Sequence, residues 1–227
     1  MTNDFSLMIH GGAGELSNVD ASERRADYLD SMRITLEYGR AILEQGGAAL
    51  EAVEICTSLL EDDPLFNAGI GSVLNEDGKV EMDAAIMCGA TLAAGAVAGV
   101  RNIANPIQLA RMVLAESVHV MLIGEGAMRF ADSKGVKTVP DDYCITPERR
   151  TQWEEACRAQ CVGLDHDSPA HQQKRERDKL GTVGAVARDC EGRLAAAAST
   201  GGTVNKHFGR VGDSPIIGAG VYADDET

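Results

Sequence analysis

The residues with the clearest chemical potential stand together at Leu180-Gly181-Thr182-Val183-Gly184, where a polar tether runs through a glycine into a threonine that opens an apolar strand. A threonine hydroxyl is a poor nucleophile until a base takes its proton, and a lysine, a histidine or a free amine can serve. A threonine at a chain start carries its own base, because an α-amino group titrates near about pH 7.7 to 8.0 and is partly neutral at physiological pH. Cleavage before Thr182 would create that group. Gly181 can adopt strained backbone conformations closed to other residues and so let the hydroxyl approach the preceding carbonyl, for an N-to-O acyl shift followed by ester hydrolysis. A plain strand-opening Gly-Thr after a loop accounts for the same five residues.

Other reactive residue types are less suggestive. Cys157 and Cys161 are four apart and could share a metal on one helix face, but no CxxC pair or histidine cluster completes a site. The six cysteines (Cys56, Cys88, Cys144, Cys157, Cys161, Cys190) are scattered, several within apolar runs, as small core residues of a reducing compartment would be. His10-Gly11-Gly12-Ala13-Gly14 lacks the lysine and following hydroxyl of a phosphate loop and reads as a tight turn. His10, His119, His166, His171 and His207 are too dispersed for a histidine-based site.

The elements that would position Thr182 follow from periodicity. Phe5 to Ile9 reads as a buried strand entering the glycine turn. Ser22 to Gln45 carries Leu29, Met32, Leu36 and Leu43 at helical spacing and stops at Gly46-Gly47; a second helix runs from about Ala48 to Leu60 with Leu50, Val53 and Leu60 on one side. Leu65 to Gly71 is too glycine-rich for a helix and too apolar for a solvated loop, so a buried, shaped loop is expected. Asn75-Glu76-Asp77-Gly78 predicts a hairpin between Val73-Leu74 and Val80-Met82, leading into a strand from Ala84 to Met87. Thr91 to Val100 is a further strand, Asn105-Pro106 to Ser117 a helix, His119 to Ile123 a strand and Glu125 to Ser133 a helix. The stretch 163–179 has almost no apolar residues and is expected to be a linker, and strands Thr182 to Ala187 and Arg193 to Ala198 surround the turn at Asp189 to Gly192. No internal repeat is present, and the element order suggests a mixed sheet with helices outside.

Bulk properties bound the function. The 227 residues fit one domain, and 44% hydrophobic composition is enough for a real core. With 21 Lys+Arg against 35 Asp+Glu, the net charge of −14 argues against nucleic acid or an anionic membrane surface as partner. No basic n-region opens the chain and no stretch approaches roughly 18 consecutive apolar residues, so a soluble cytoplasmic protein is expected.

Read together, seven segments resemble the plant-type (type 2) L-asparaginase/isoaspartyl peptidase family of N-terminal-nucleophile hydrolases. They are His10-Gly-Gly-Ala-Gly14, Leu65-Phe-Asn-Ala-Gly-Ile-Gly71, Met82-Asp-Ala-Ala-Ile86, Gly95-Ala-Val-Ala-Gly-Val100, Gly181-Thr-Val-Gly-Ala-Val186, Ser199-Thr-Gly-Gly202 and Gly209-Arg-Val-Gly-Asp-Ser-Pro215. The Gly-Thr junction followed closely by STGG and GRVGDSP is the specific part, and Met82 to Ile86 the least distinctive.

The resemblance implies an αββα sandwich within an α/β (α+β) class, a single domain over 1–227 that cuts itself into an α-subunit (1–181) and a β-subunit beginning at 182, and an (αβ)2 assembly. It implies hydrolysis of β-aspartyl dipeptides and L-asparagine to release L-aspartate, with glycosylasparaginase or a non-catalytic remnant as alternatives. By position Thr182 matches the nucleophile and Gly181-Thr182 the autocleavage site. Thr200 matches a second threonine that orients the nucleophile, and Asn67 a residue touching it from the glycine-rich loop. Arg210 and Asp213 match the substrate clamp, and an aspartyl α-carboxylate and α-ammonium do require a cationic fork and an anionic acceptor; a surface ion pair is the plainer account of the two residues. No cofactor is implied for the chemistry. A structural sodium ion is implied, held by the backbone carbonyls of Leu60, Glu61, Asp63, Phe66, Ala68 and Ile70, oxygen ligands that suit a hard cation. The family continues past the position of Thr227 through a Thr-Gly-Thr-Gly segment that forms its oxyanion hole, so a missing C-terminal part is expected; loss of one such donor costs about 10² to 10³ in rate.

Overall fold

The computed structural model describes residues 4–12, 23–159 and 181–226. The expected linker 163–179, with Cys161, His166 and His171, lies outside them, as do Ala13 and Gly14. Among the described residues a single six-stranded mixed sheet carries five helices. The strands are β1 (Ser6–His10), β2 (Met82–Cys88), β3 (Ala94–Val100), β4 (Met121–Ile123), β5 (Val183–Arg188) and β6 (Leu194–Thr200). Their order is β1-β5-β6-β2-β3-β4, all neighbours antiparallel except the parallel β3–β4 pair.

Alternation along the strands gives the sheet two faces. Ala84, Ile86, Val97, Ala185, Ala187, Ala195 and Ala197 point to one side, into a core shared with Val53, Cys56, Ile107, Ala110 and Val113. That side is covered by α2 (Ala49–Asp62) over β5 and β6 and by α3 (Pro106–Glu116) over β2 and β3, while α1 (Glu23–Glu44) packs on α2 and β1. Small residues on the strands let the helices approach closely: a Cβ at Gly95 would meet the Ala110 carbonyl oxygen at 2.1 Å. The opposite face is made of Ala85, Met87, Ala94, Ala96, Ala196 and Ala198, with Val221 and Ala223 lying over it. Asp189 ties the β5–β6 turn to α2, its carboxylate accepting from the Ala49 amide (3.1 Å) and from Arg193 Nε (2.8 Å). Burial opposes its charge, yet the hydrogen bonds from Ala49, Arg193 and Glu191 prevail and hold its pKa below the ordinary value.

Several expectations need correction. The strand at Phe5 to Ile9 is present, shifted by one residue, but it is an edge rather than a buried strand: it pairs with β5 alone, and Met8 is 69% exposed. On α1 the buried side runs through Tyr28, Thr35 and Leu43, whereas Leu29 and Leu36 face outward. The turn at Asn75 forms, with the Asn75 amide donating to Lys79 O (2.8 Å), but its flank bridges to Lys206 instead of making a hairpin ladder. A fifth helix, α5 (Pro147–Arg158), follows α4 (Gly124–Ser133) and was not expected from periodicity; Thr146 caps it, accepting from the Arg149 amide at 3.1 Å, with proline in the first turn. Cys56, Cys88, Cys144, Cys157 and Cys190 form no disulfide. No helix among the described residues is long and apolar enough to cross a membrane.

Candidate active site

The β5–β6 ladder pairs Val183 with Ser199, and one further step sets Thr182 opposite Thr200. On the far side of β6, Thr200 pairs with Asp83 of β2. Side chains directly opposite one another share a face, so Thr200 and Asp83 share one, and Thr182, the residue before β5, continues their row. Alternation from the helix-side residues Val183, Ala197 and Ala84 puts that row on the face away from the helices.

The chain leaving β6 folds back over this row, and residues 74–81 hold it there. Asn205 N donates to Leu74 O and Glu76 N to Lys206 O, both at 2.8 Å. The Glu76 carboxylate accepts from the Phe208 amide (2.9 Å), and that of Glu81 from the Gly209 amide (3.1 Å) and Asn75 Nδ2 (2.8 Å). Lys206, 1% exposed, donates from Nζ to the Glu81 carbonyl at 2.7 Å. Burial lowers its pKa, opposed by the charges of Asp83 and Glu81. Asp83, fully buried, accepts from the Gly99 amide at 2.8 Å; burial raises its pKa against the pull of Lys206, the Gly99 and Gly212 amides and Arg210.

Asn67 works through the backbone of the returning segment. Its Nδ2 donates to Gly202 O (2.7 Å), its Oδ1 accepts from Val73 N (2.9 Å), and its carbonyl accepts from Gly201 N (3.0 Å). Gly201 is needed here, since a Cβ would stand 2.4 Å from Asn67 Oδ1. The Thr200 hydroxyl accepts from the Gly202 amide at 3.0 Å. Asn67 and Thr200 thus fix the end of β6, and neither donates to nor accepts from the Thr182 hydroxyl. That hydroxyl lies 2.8 Å from the Ser214 hydroxyl, a residue the sequence reading assigned no role.

Arg210 is half-buried and Asp213 exposed, three residues apart on the returning loop. They do not pair with each other, and neither closes an ion pair within the described chain, so the surface ion-pair account of these two residues does not apply. A cleft of about 640 Å³ borders the back of this loop, lined by Arg101, Glu125, Phe208, Gly209 and Val211 among others; Thr182 is not part of it.

The loop expected to hold a cation leaves the last turn of α2, where helix carbonyls lack partners within the helix and carry the negative end of its dipole. Leu60 and Glu61 occupy that turn. Glu61 O accepts from Ile70 N (2.7 Å) and Asp63 O from Phe66 N (3.2 Å), curling 60–70 into a closed loop. Gly69, at φ +52°, permits it; a Cβ there would meet Glu61 O at 2.2 Å. Phe66 and Ala68 are buried in it. The Glu61 carboxyl accepts from the Ile107 amide at the start of α3 (2.9 Å), and burial pushes its pKa to about 8 despite the hydrogen bonding around it.

The fold is that of a mixed α+β protein, with strand-end hydroxyls beneath a loop that carries a cation and an anion. A family model described as asparaginase matches residues 3–227, and the chain belongs to that family. It is 48% identical to the isoaspartyl peptidase of Salmonella typhimurium over 224 residues, which are 98% of this chain and 70% of the relative. It is 49% identical to the isoaspartyl peptidase/L-asparaginase of Bos taurus (97% and 68%) and 47% identical to the isoaspartyl peptidase of Escherichia coli (96% and 67%).

Proposed function

We propose that this chain is the precursor of a threonine hydrolase that cleaves β-aspartyl dipeptides and L-asparagine, releasing L-aspartate. The relatives' names support the substrate class. The observation that carries the reading is the place of Thr182 at the open end of the β5–β6 ladder, level with Thr200 and hydrogen-bonded to Ser214 of a loop whose Arg210 and Asp213 close no ion pair among the described residues. In the first step the Thr182 oxygen adds to the Gly181 carbonyl, the Gly181–Thr182 C–N bond breaks, and the nitrogen leaves as the new α-amine of Thr182. Water then hydrolyses the ester, separating an α-subunit ending at Gly181 from a β-subunit beginning at Thr182. The freed amine next serves as base for Thr182 attack on the substrate's β-carbonyl, with Arg210 on the α-carboxylate and Asp213 on the α-ammonium. Thr200 and Asn67 keep the end of β6 in place beside the nucleophile. The uncovered part of the alanine-rich face, at Met8 and Val186, supports a second layer of an αββα sandwich; an (αβ)2 assembly and a cytoplasmic location belong to the same reading.

Intact mass after incubation and denaturation tests the first step, and release of aspartate from a β-aspartyl dipeptide, asparagine and a glycosylated asparagine tests the second. Two fragments, one starting at Thr182, with turnover of the first two substrates are expected. Turnover of the glycosylated substrate alone would make the chain a glycosylasparaginase, and an uncut, inert chain would make it a non-catalytic relative.

The same reading gives the carbonyls of Leu60, Glu61, Asp63, Phe66, Ala68 and Ile70 to a structural sodium ion, for which backbone oxygens at and after the negative end of α2 are suitable ligands. The melting temperature is then expected to be higher in sodium chloride than in tetramethylammonium chloride of equal ionic strength, because an ion that binds only the folded state stabilises it. Equal melting temperatures would remove the cation from the reading.

A further inference from the structure

The contact between Thr182 Oγ1 and Ser214 Oγ has a consequence for both proposed reactions, and it rests on the reading of Thr182 as nucleophile. A serine hydroxyl is too weak a base to take the threonine's proton, so the contact can only orient. Threonine in particular needs orienting, since its χ1 is restricted to a few wells and the wrong one turns the oxygen away from its target. Thr200, the residue expected to do this, accepts from the Gly202 amide instead.

We propose that Ser214 is the positioning residue that fixes the Thr182 hydroxyl in register with the substrate clamp, during self-cleavage and during turnover. Its place in the loop suits the task. Ser214 is 2% exposed, while its neighbour Asp213 is exposed, so adjacent side chains reach opposite ways: one to the nucleophile, the other to solvent. The spacing between nucleophile and clamp is therefore set by one peptide unit. That unit is held firmly. Ile216 N donates to Asp213 O at 2.8 Å and Gly220 N to Ile216 O at 3.0 Å, closing the turn. Gly220 lies against the same unit so closely that a Cβ on it would stand 2.4 Å from Asp213 O and 2.5 Å from Ser214 Cα. No covalent step involves Ser214, which ends each reaction with its proton in place.

The test follows the first-order self-cleavage of the full chain by mass, then steady-state hydrolysis of a β-aspartyl dipeptide by the processed protein. Ser214→Ala is expected to lower the cleavage rate constant and kcat about 10- to 100-fold, the scale of a nucleophile out of place, with KM within about twofold of wild type. A cleavage rate constant is a property of each folded molecule, so a purely structural defect would lower the cleaved fraction and leave that constant unchanged. Should Ser214→Ala not fold, Ser214→Cys keeps nearly the same volume with a much weaker hydrogen bond and is expected to be slow as well. Wild-type rate constants in either folded variant, or a loss confined to the cleaved fraction, would overturn the assignment while leaving the hydrolase reading standing. A wild-type chain that neither cuts itself nor turns over the dipeptide would overturn both.

Discussion

Thr182→Ala is expected to leave the chain whole and to abolish hydrolysis, with turnover down by at least about 10⁴-fold, the order seen when a hydrolase loses the atom that forms its covalent bond. The substitution removes the oxygen that attacks in both proposed steps, so neither the new amine nor the ester intermediate forms. Its structural cost is modest. Thr182 is only half-buried at the mouth of β5, and the group left without its partner is the Ser214 hydroxyl, worth about 1 to 3 kcal/mol. The variant should therefore fold, and a melting curve close to wild type beside an uncut band separates lost chemistry from lost structure. Thr182→Ser, which keeps the oxygen and drops the methyl that restricts χ1, is expected to cut and turn over more slowly. Cleavage at position 182 in the alanine variant would place the nucleophile elsewhere.

How much of this was legible beforehand depends on the range of the interactions. Six strands and four helices were readable because their signals are local: short apolar runs such as Ala84–Met87 and Thr182–Ala187, and proline in the first turn of α3. By the same logic α5 should have been readable from Thr146-Pro147-Glu148, but its buried side is slight, Arg149 being the only fully covered residue on it, so periodicity was silent. The strand at β1 was legible and its burial was not, because an apolar run looks alike at an edge and in the middle of a sheet. On α1 the apolar residues Leu29 and Leu36 misled, since the face toward α2 is lined by Tyr28, Thr35 and Gly39, with Gly39 admitting Cys56. The site divides in the same way. Thr182, Arg210 and Asp213 carry reactive or charged groups that draw notice in a string of letters. Ser214, Lys206 and Asp83 matter through the atoms they meet across 16 residues or more, and nothing in the composition around them reports those contacts.

Arg210→Ala is expected to lower kcat/KM for a β-aspartyl dipeptide by about 10² to 10³, or roughly 3 to 4 kcal/mol, because a charge-assisted, two-pronged hold on the α-carboxylate is lost at a half-buried position. Arg210→Lys keeps the charge but not the fork, and should recover only part of it. Two controls make the prediction specific. 3-Aminopropanamide, which is asparagine without its α-carboxylate, should be a poor substrate for the wild type, and Arg210→Ala should not make it much poorer, since the interacting pair is already broken. Self-cleavage should proceed in the variant, because the Gly181–Thr182 bond presents no α-carboxylate for the guanidinium to hold. An equal loss for both substrates would assign Arg210 to the support of Asp83 and the loop rather than to the ligand, for the guanidinium also helps keep that buried carboxylate charged. That Arg210 closes no ion pair among the described residues favours the ligand. A half-buried cation with no carboxylate hydrogen-bonded to it is costly to hold, and it becomes an advantage when an anion arrives to complete it.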